Sequence, residues 1–221
     1  MPISLSSRIL LVATTLTLFA CGKASNTNPA DNATEYTKDT DLQGKVFKGE
    51  CSMKPLDEVA AGIPTGGDNI KSARVQYSFV GANLTHDIFL YKSSDCSGTA
   101  ALSFIETGAF RLDPKTTTGE GAKAIDITFD HLHLLVGDDV GLRIAHALNM
   151  CGTNDWSIAK DREVTPAAAD QQCFRQKLPS HDATIYLLDK NTLYFGAKAP
   201  LNRSADRPTT LEKGLKYTAG Q

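Results

Sequence analysis

No run of apolar residues in this chain is long enough to cross a membrane as a helix. Such a span takes roughly 20 consecutive residues, and the apolar N-terminal stretch, Ile9 to Phe19, covers 11 and carries Thr14, Thr15 and Thr17. There is no basic block either. Lys and Arg (23) are balanced by Asp and Glu (25), and the signs are mixed along the chain, so nothing matches a phosphate backbone and nucleic acid is not an expected partner. The cysteines form no CxxC pair and do not cluster with histidine, which argues against a thiol redox centre or a structural zinc site. GxSxG, HExxH and GxxxxGK[ST] are missing, and the carboxylates show no pairing that suggests acid and base roles. The chain therefore reads as a non-enzymatic protein without a cofactor.

What is present begins at the N-terminus. Arg8 followed by the uncharged stretch Ile9 to Phe19 has the form of a secretory signal. It ends in Leu18, Phe19, Ala20 and Cys21, which resembles the bacterial lipobox: leucine at −3, a small residue at −1 and cysteine at +1. The resemblance implies cleavage before Cys21 and lipidation of its sulfur and new amino terminus. Each buried methylene is worth ~0.8 kcal/mol and firm anchoring needs more than one chain, so three acyl chains would make a membrane the protein's standing partner. Gly22 takes the place where aspartate would signal inner-membrane retention, so the outer membrane of a bacterial envelope is the expected location. Residues 1–20 are then signal peptide. Residues 21–41, rich in Asn, Thr, Ala and Ser, form a lipidated tether with a reach of roughly 25 Å. Residues 42–221 form a single β-domain.

Four cysteines lie beyond the anchor: Cys51, Cys96, Cys151 and Cys173. An even number in an exported chain suggests two disulfides. Three pairings are possible, and the sequential one, Cys51 with Cys96 and Cys151 with Cys173, is favoured because each bridge would staple a local unit.

Hydrophobic periodicity favours strands throughout. Gly44 to Cys51 reads as a short first strand. Lys71 to Val80 alternates with Val75, Tyr77 and Phe79 on one face, and the Gly81-Ala82-Asn83 turn leads into Leu84 to Tyr91 as a hairpin. Leu102, Phe104, Gly108, Phe110 and Leu112 mark a fourth strand with a glycine bend or bulge. In AKAIDITFD, Ile125, Ile127 and Phe129 share a face, but Leu132, Leu134 and Val136 continue in the opposite phase. One extra residue near Asp130 would restore the core face and turn His131 and His133 outward. Val140, Ile144 and Leu148 recur at helical spacing between Asp138 and Asn149. Trp156 to Ala159 is a weak strand, ATIYLLD and TLYFGA flank Lys190-Asn191 as a second hairpin, and Leu215 to Thr218 is a last strand. Seven to nine strands with one short helix predict an all-β, antiparallel barrel or a sandwich.

Several motifs invite chemistry and are better explained without it. Asp39 to Glu50 places Asp39, Asp41, Gly44 and Glu50 at EF-hand loop positions, but Gln43 interrupts the ligand set and no helices flank it, so this is a tether running into the first strand. His131 and His133 would need a third metal ligand. Ser157 to Lys160 matches SxxK without its companion boxes and without a helix to open. Arg207-Pro208 reads as a loop closure. Of the aromatic clusters, Tyr77, Phe79, Phe89 and Tyr91 are candidate ligand-binding residues if the barrel is wide enough to leave a cavity.

The order of landmarks is Cys51, then YKSSDCSG (Tyr91 to Gly98), Gly108 before Phe110, and Ile125 to Phe129. Cys151-Gly152 with Trp156, Cys173, LYFG (Leu193 to Gly196) and Arg207-Pro208-Thr209 follow. Over residues 42 to 211 this pattern resembles the cysteine-stapled barrel domain of the adenomatosis polyposis coli down-regulated glycoprotein family, with Val46 or Phe47 where that pattern has tryptophan. The resemblance implies a lipocalin-like barrel with a hydrophobic pocket for a lipid or acyl chain. The expected function is a lipoprotein whose barrel binds a hydrophobic ligand. The alternative is an interaction protein, an assembly accessory or hydrolase inhibitor, that acts through surface loops.

Overall fold

The computed structural model describes residues 41–60, 62–118, 120–165, 173–197 and 206–220. Cys21 and the rest of residues 1–40, where the signal peptide and most of the tether are expected, lie outside the described residues. The strands are β1 (Val46–Gly49), β2 (Ser72–Val80), β3 (Asn83–Tyr91), β4 (Leu102–Thr117), β5 (Lys123–Val136), β6 (Asp161–Glu163), β7 (Ser180–Asp189), β8 (Thr192–Phe195) and β9 (Tyr217–Ala219). Eight of them close in the order β4-β3-β2-β1-β9-β8-β7-β5, the ring being completed by β4 against β5. All pairings in the ring are antiparallel. The architecture is therefore a barrel and not a sandwich, and the closure leaves no strand edge in the ring to template pairing with another chain.

β5 makes closure possible. Its first half pairs with β7, from Lys123 to Phe129, and its second half leaves β7 and takes β6, from His133 to Leu135. The change coincides with the expected bulge. Thr107 faces His131 and Gly108 faces Phe129, so Asp130 is the unpaired residue. Phase is restored: Leu132, Leu134 and Val136 are buried, while His131 and His133 point outward to Glu163 (2.9 Å) and Asp161 (2.8 Å). Gly108 is required opposite the bulge because a Cβ there would collide with the Thr128 carbonyl.

The inner face of β2 alternates as the sequence predicts, and β3 follows its register. Ala73, Val75, Tyr77 and Phe79 of β2 oppose Leu90, Ile88, His86 and Leu84 of β3. One end of the barrel is filled by Leu42, Leu84 and the edge-to-face rings of Phe47, Phe79 and Phe110. Towards the opposite end of β3, Leu90, Leu102 and Phe104 join Ile144 and Ala145 of the helix α1 (Asp139–Ala147) in the same core. Asp138 caps α1 by accepting from the Val140 and Gly141 amides.

Three local expectations are corrected. Trp156 to Ala159 is not a strand; Trp156 is a buried plug whose indole N–H donates to the Met150 carbonyl (3.2 Å), and the strand comes later, at β6. The last strand, expected over Leu215 to Thr218, starts two residues later and ends one later. Arg207 does more than close a loop: it spans the β5–β7 pair, donating to the carbonyls of Ile125 (3.0 Å) and Thr184 and to Asp126 (2.6 Å). The following Pro208 packs over Gly196, where a side chain would not fit.

The disulfides are Cys51 to Cys96 and Cys151 to Cys173. The first ties the segment after β1 to the β3–β4 loop, and the second ties the end of the helical region to the segment before β7. Asp41 is held by Lys123 (3.0 Å) and by the Tyr186 hydroxyl (3.0 Å), and residues 46–49 form β1; Asp39 of the EF-hand-like stretch lies outside the described residues.

Candidate functional site

Strand register assembles the site. Tyr77 of β2 opposes His86 of β3, and His86 opposes Glu106 of β4. Directly opposed inward residues have Cβ atoms about 4.5–5.5 Å apart, so the three side chains form a row across the inner wall. Tyr77 and His86 stack with ring centroids 4.6 Å apart and planes at 16°. His86 Nδ1 lies 2.7 Å from Glu106 Oε2 with both side chains buried, a distance that suits a charge-assisted bond in which Nδ1–H donates to the carboxylate. That leaves Nε2, which is buried and makes no hydrogen bond to a described residue. Glu58 Oε2, from the 3₁₀ turn Lys54–Glu58, stands 3.8 Å from it.

Tyr77 and His86 of this row border a cavity of about 540 Å³, within the usual size of a small-molecule site. Its apolar walls include Val75 of β2 and Ile127 and Phe129 of β5, and Asp182 and Thr184 of the neighbouring strand β7 line it beside Ile127. Tyr77, Phe195 and Tyr217 contribute mutually packed rings, with centroids 4.9 to 5.9 Å apart. Burial pushes the Tyr217 hydroxyl well above its ordinary pKa, and the negative charge of Glu58 pushes it further, against the opposing influence of its hydrogen bond with Tyr77, so this phenol stays protonated. At the rim, the acids Glu50, Asp57 and Glu212 outnumber Lys54 and Lys216, and Lys216 is already paired with Glu50 (3.0 Å).

Of the four aromatic residues expected to line a pocket, Tyr77 does. Phe79 points inward but is fully buried in the closed end, locked between Phe47 and Phe110. Phe89 and Tyr91 are corrected outright. The inner phase of β3 is Leu84, His86, Ile88 and Leu90, so both rings lie on the outer face, 6.5 Å apart. His86, Glu106, Asp182, Thr184 and Glu58 were missed. The signal was a polar residue in an apolar phase: His86 within LTHDIFL and Glu106 within LSFIETGAF.

A histidine oriented by a carboxylate is one half of a base-and-nucleophile pair. Here Nε2 makes no hydrogen bond to a hydroxyl or thiol among the described residues. Among the described residues no group of three His, Cys, Asp or Glu side chains is placed to hold a metal. No protein-family model and no curated protein sequence matches the chain.

Proposed function

We propose that the protein is a non-enzymatic lipoprotein of the bacterial envelope, anchored through Cys21, whose barrel binds a small ligand with a hydrophobic part. The observation that carries this reading is the cavity. A barrel needing only stability would fill its interior with side chains, as the Phe47, Phe79 and Phe110 end does, whereas the middle of this one leaves about 540 Å³ against Val75, Ile127 and Phe129. The lipobox-like LFAC sequence and the resemblance to cysteine-stapled, lipocalin-like domains point the same way.

The test is native mass spectrometry of the full-length protein released gently from its membrane. Val75→Phe and Thr184→Phe each push a ring into the cavity from opposite walls, β2 and β7 being four strands apart around the ring. The wild type should carry a non-covalent adduct that both variants lack while remaining folded. The same adduct on all three proteins would place the binding elsewhere.

A further inference from the structure

Residues 173–178 lead from the Cys151–Cys173 disulfide towards β7. Phe174 is buried, Arg175 exposed, Gln176 buried and Lys177 exposed, so the side chains alternate inward and outward as on an extended strand. Phe174 fixes the phase. Its backbone bridges to Val59, and its ring stacks on Phe104 of the barrel core with centroids 5.9 Å apart. Arg175 marks the other side, where it donates to the Asp57 carbonyl (3.2 Å). Gln176 is therefore the next inward residue after Phe174, and it lines the cavity.

A side-chain amide is costly in that place. Gln176 is 8% exposed, yet its side chain makes no hydrogen bond to a described residue. Glutamine carries an acceptor oxygen and two N–H donors, and taking such groups out of water without partners is unfavourable. A second neutral group of the lining is nearly as poorly served. Thr184 is 2% exposed, and its hydroxyl donates only to the carbonyl of the adjacent Ile185, at the long distance of 3.5 Å. Packing alone would favour an aliphatic side chain at both positions. Each instead presents a neutral group that can both donate and accept.

We propose that Gln176 recognises the polar end of the cavity's ligand, and that this end is a neutral amide edge, as in a primary carboxamide or a lactam. Such an edge is the complement of the glutamine side chain. Its N–H donates to Oε1 of Gln176 while its carbonyl accepts from Nε2, giving two parallel bonds. A carboxylate only accepts and an ammonium only donates, so each would leave half of the glutamine amide unpaired. Gln176 also supplies no counter-charge for the hydration that either would lose. The apolar body of the ligand lies against Val75, Ile127 and Phe129. The inference rests on the ligand-binding reading above and names the polar end of that ligand.

The test uses full-length protein in lipid nanodiscs and three probes of one shape: 4-phenylbutanamide, 4-phenylbutanol and 4-phenylbutyrate, titrated by calorimetry against empty nanodiscs. The amide should bind about tenfold more tightly than the alcohol, as one further hydrogen bond to a buried partner provides, and the carboxylate should bind weakest. Gln176→Met, close in size but without the amide, should erase the amide's advantage over the alcohol. Lys177→Ala, on the outward side of the same segment, should leave the ranking as it is. In isotope-labelled wild type, the side-chain N–H signals of Gln176 should shift on binding 4-phenylbutanamide. An amide that binds no more tightly than the alcohol, a carboxylate that binds tightest, or an amide preference retained in Gln176→Met overturns the assignment and leaves the ligand-binding reading standing. Bound 4-phenylbutanamide that leaves the Gln176 signals in place overturns it too, whether or not Gln176→Met folds. Binding of none of the three overturns both.

Discussion

His86 and Glu106 occupy positions where a barrel of this size ordinarily places leucine or valine. Buried ion pairs stabilise little in net terms, because desolvation offsets most of the attraction, but removing one partner strands the other at a cost of about 3–5 kcal/mol. His86→Ala or Glu106→Ala alone should therefore lower stability by about that much in urea unfolding. The double variant His86→Leu with Glu106→Leu should recover most of the loss, and additive losses would show that the pair is not coupled. Asp87, the next residue along β3, faces the other side of the wall. Burial raises its pKa above the ordinary 3.8, against the opposing influences of His86 and the Gln76 hydrogen bond. A raised folded-state pKa means the folded form holds the proton more tightly. Stability is therefore full below the unfolded value and is lost as pH rises through the folded one. Asp87→Asn should melt higher than wild type at pH 7, and the gap should close below about pH 3.8.

At the scale of elements, the molecule turns on the β4–β5 pair. The phase inversion in AKAIDITFDHLHLLV gave the bulge at Asp130 from pattern alone, since a one-residue slip would otherwise bury two histidines and expose three aliphatics. Gly108 was legible as special but not for its reason, which is the close approach of β5 at the bulge. Gly108→Ala should cost at least the 1–3 kcal/mol typical of overpacking, and a variant as stable as wild type would mean the two strands separate there more easily than the register implies. Arg207 was illegible for a different cause. Its partners, Asp126 and two backbone carbonyls, lie more than 20 residues away in sequence, and backbone acceptors leave no trace in composition. Arg207→Ala should destabilise by about 1–3 kcal/mol, its partial exposure taken into account. Arg207→Lys should recover little, because only the guanidinium fork reaches three acceptors. The aromatic pocket residues fell between these cases. Alternation named the right face of β2, but on β3 the aromatics were assigned inward when His86, one register step away, held that phase.

For the whole molecule, closure and stapling bear on the stability, and the cavity is the ground for the proposed use. In the chain-entropy account, bridges across 45 and 22 residues are worth about 3 to 4 kcal/mol each. Reduction should therefore lower the melting temperature by well over ten degrees, and a melting curve indifferent to reductant would contradict that role. Cys21→Ala should move the protein from the membrane to the soluble fraction without changing the melting behaviour of the barrel, whereas a variant that still sediments with membranes would require a second anchor. The central claim is that the interior holds a ligand, and methyl NMR of the full-length protein in nanodiscs tests it most directly. On titration with neutral 4-phenylbutanol, the methyl signals of Val75 and Ile127 should shift while those of Leu42 and Leu84 in the closed end stay in place. Shifts confined to the exposed Val46, Val80 and Ile158, or no shifts at all, would contradict it.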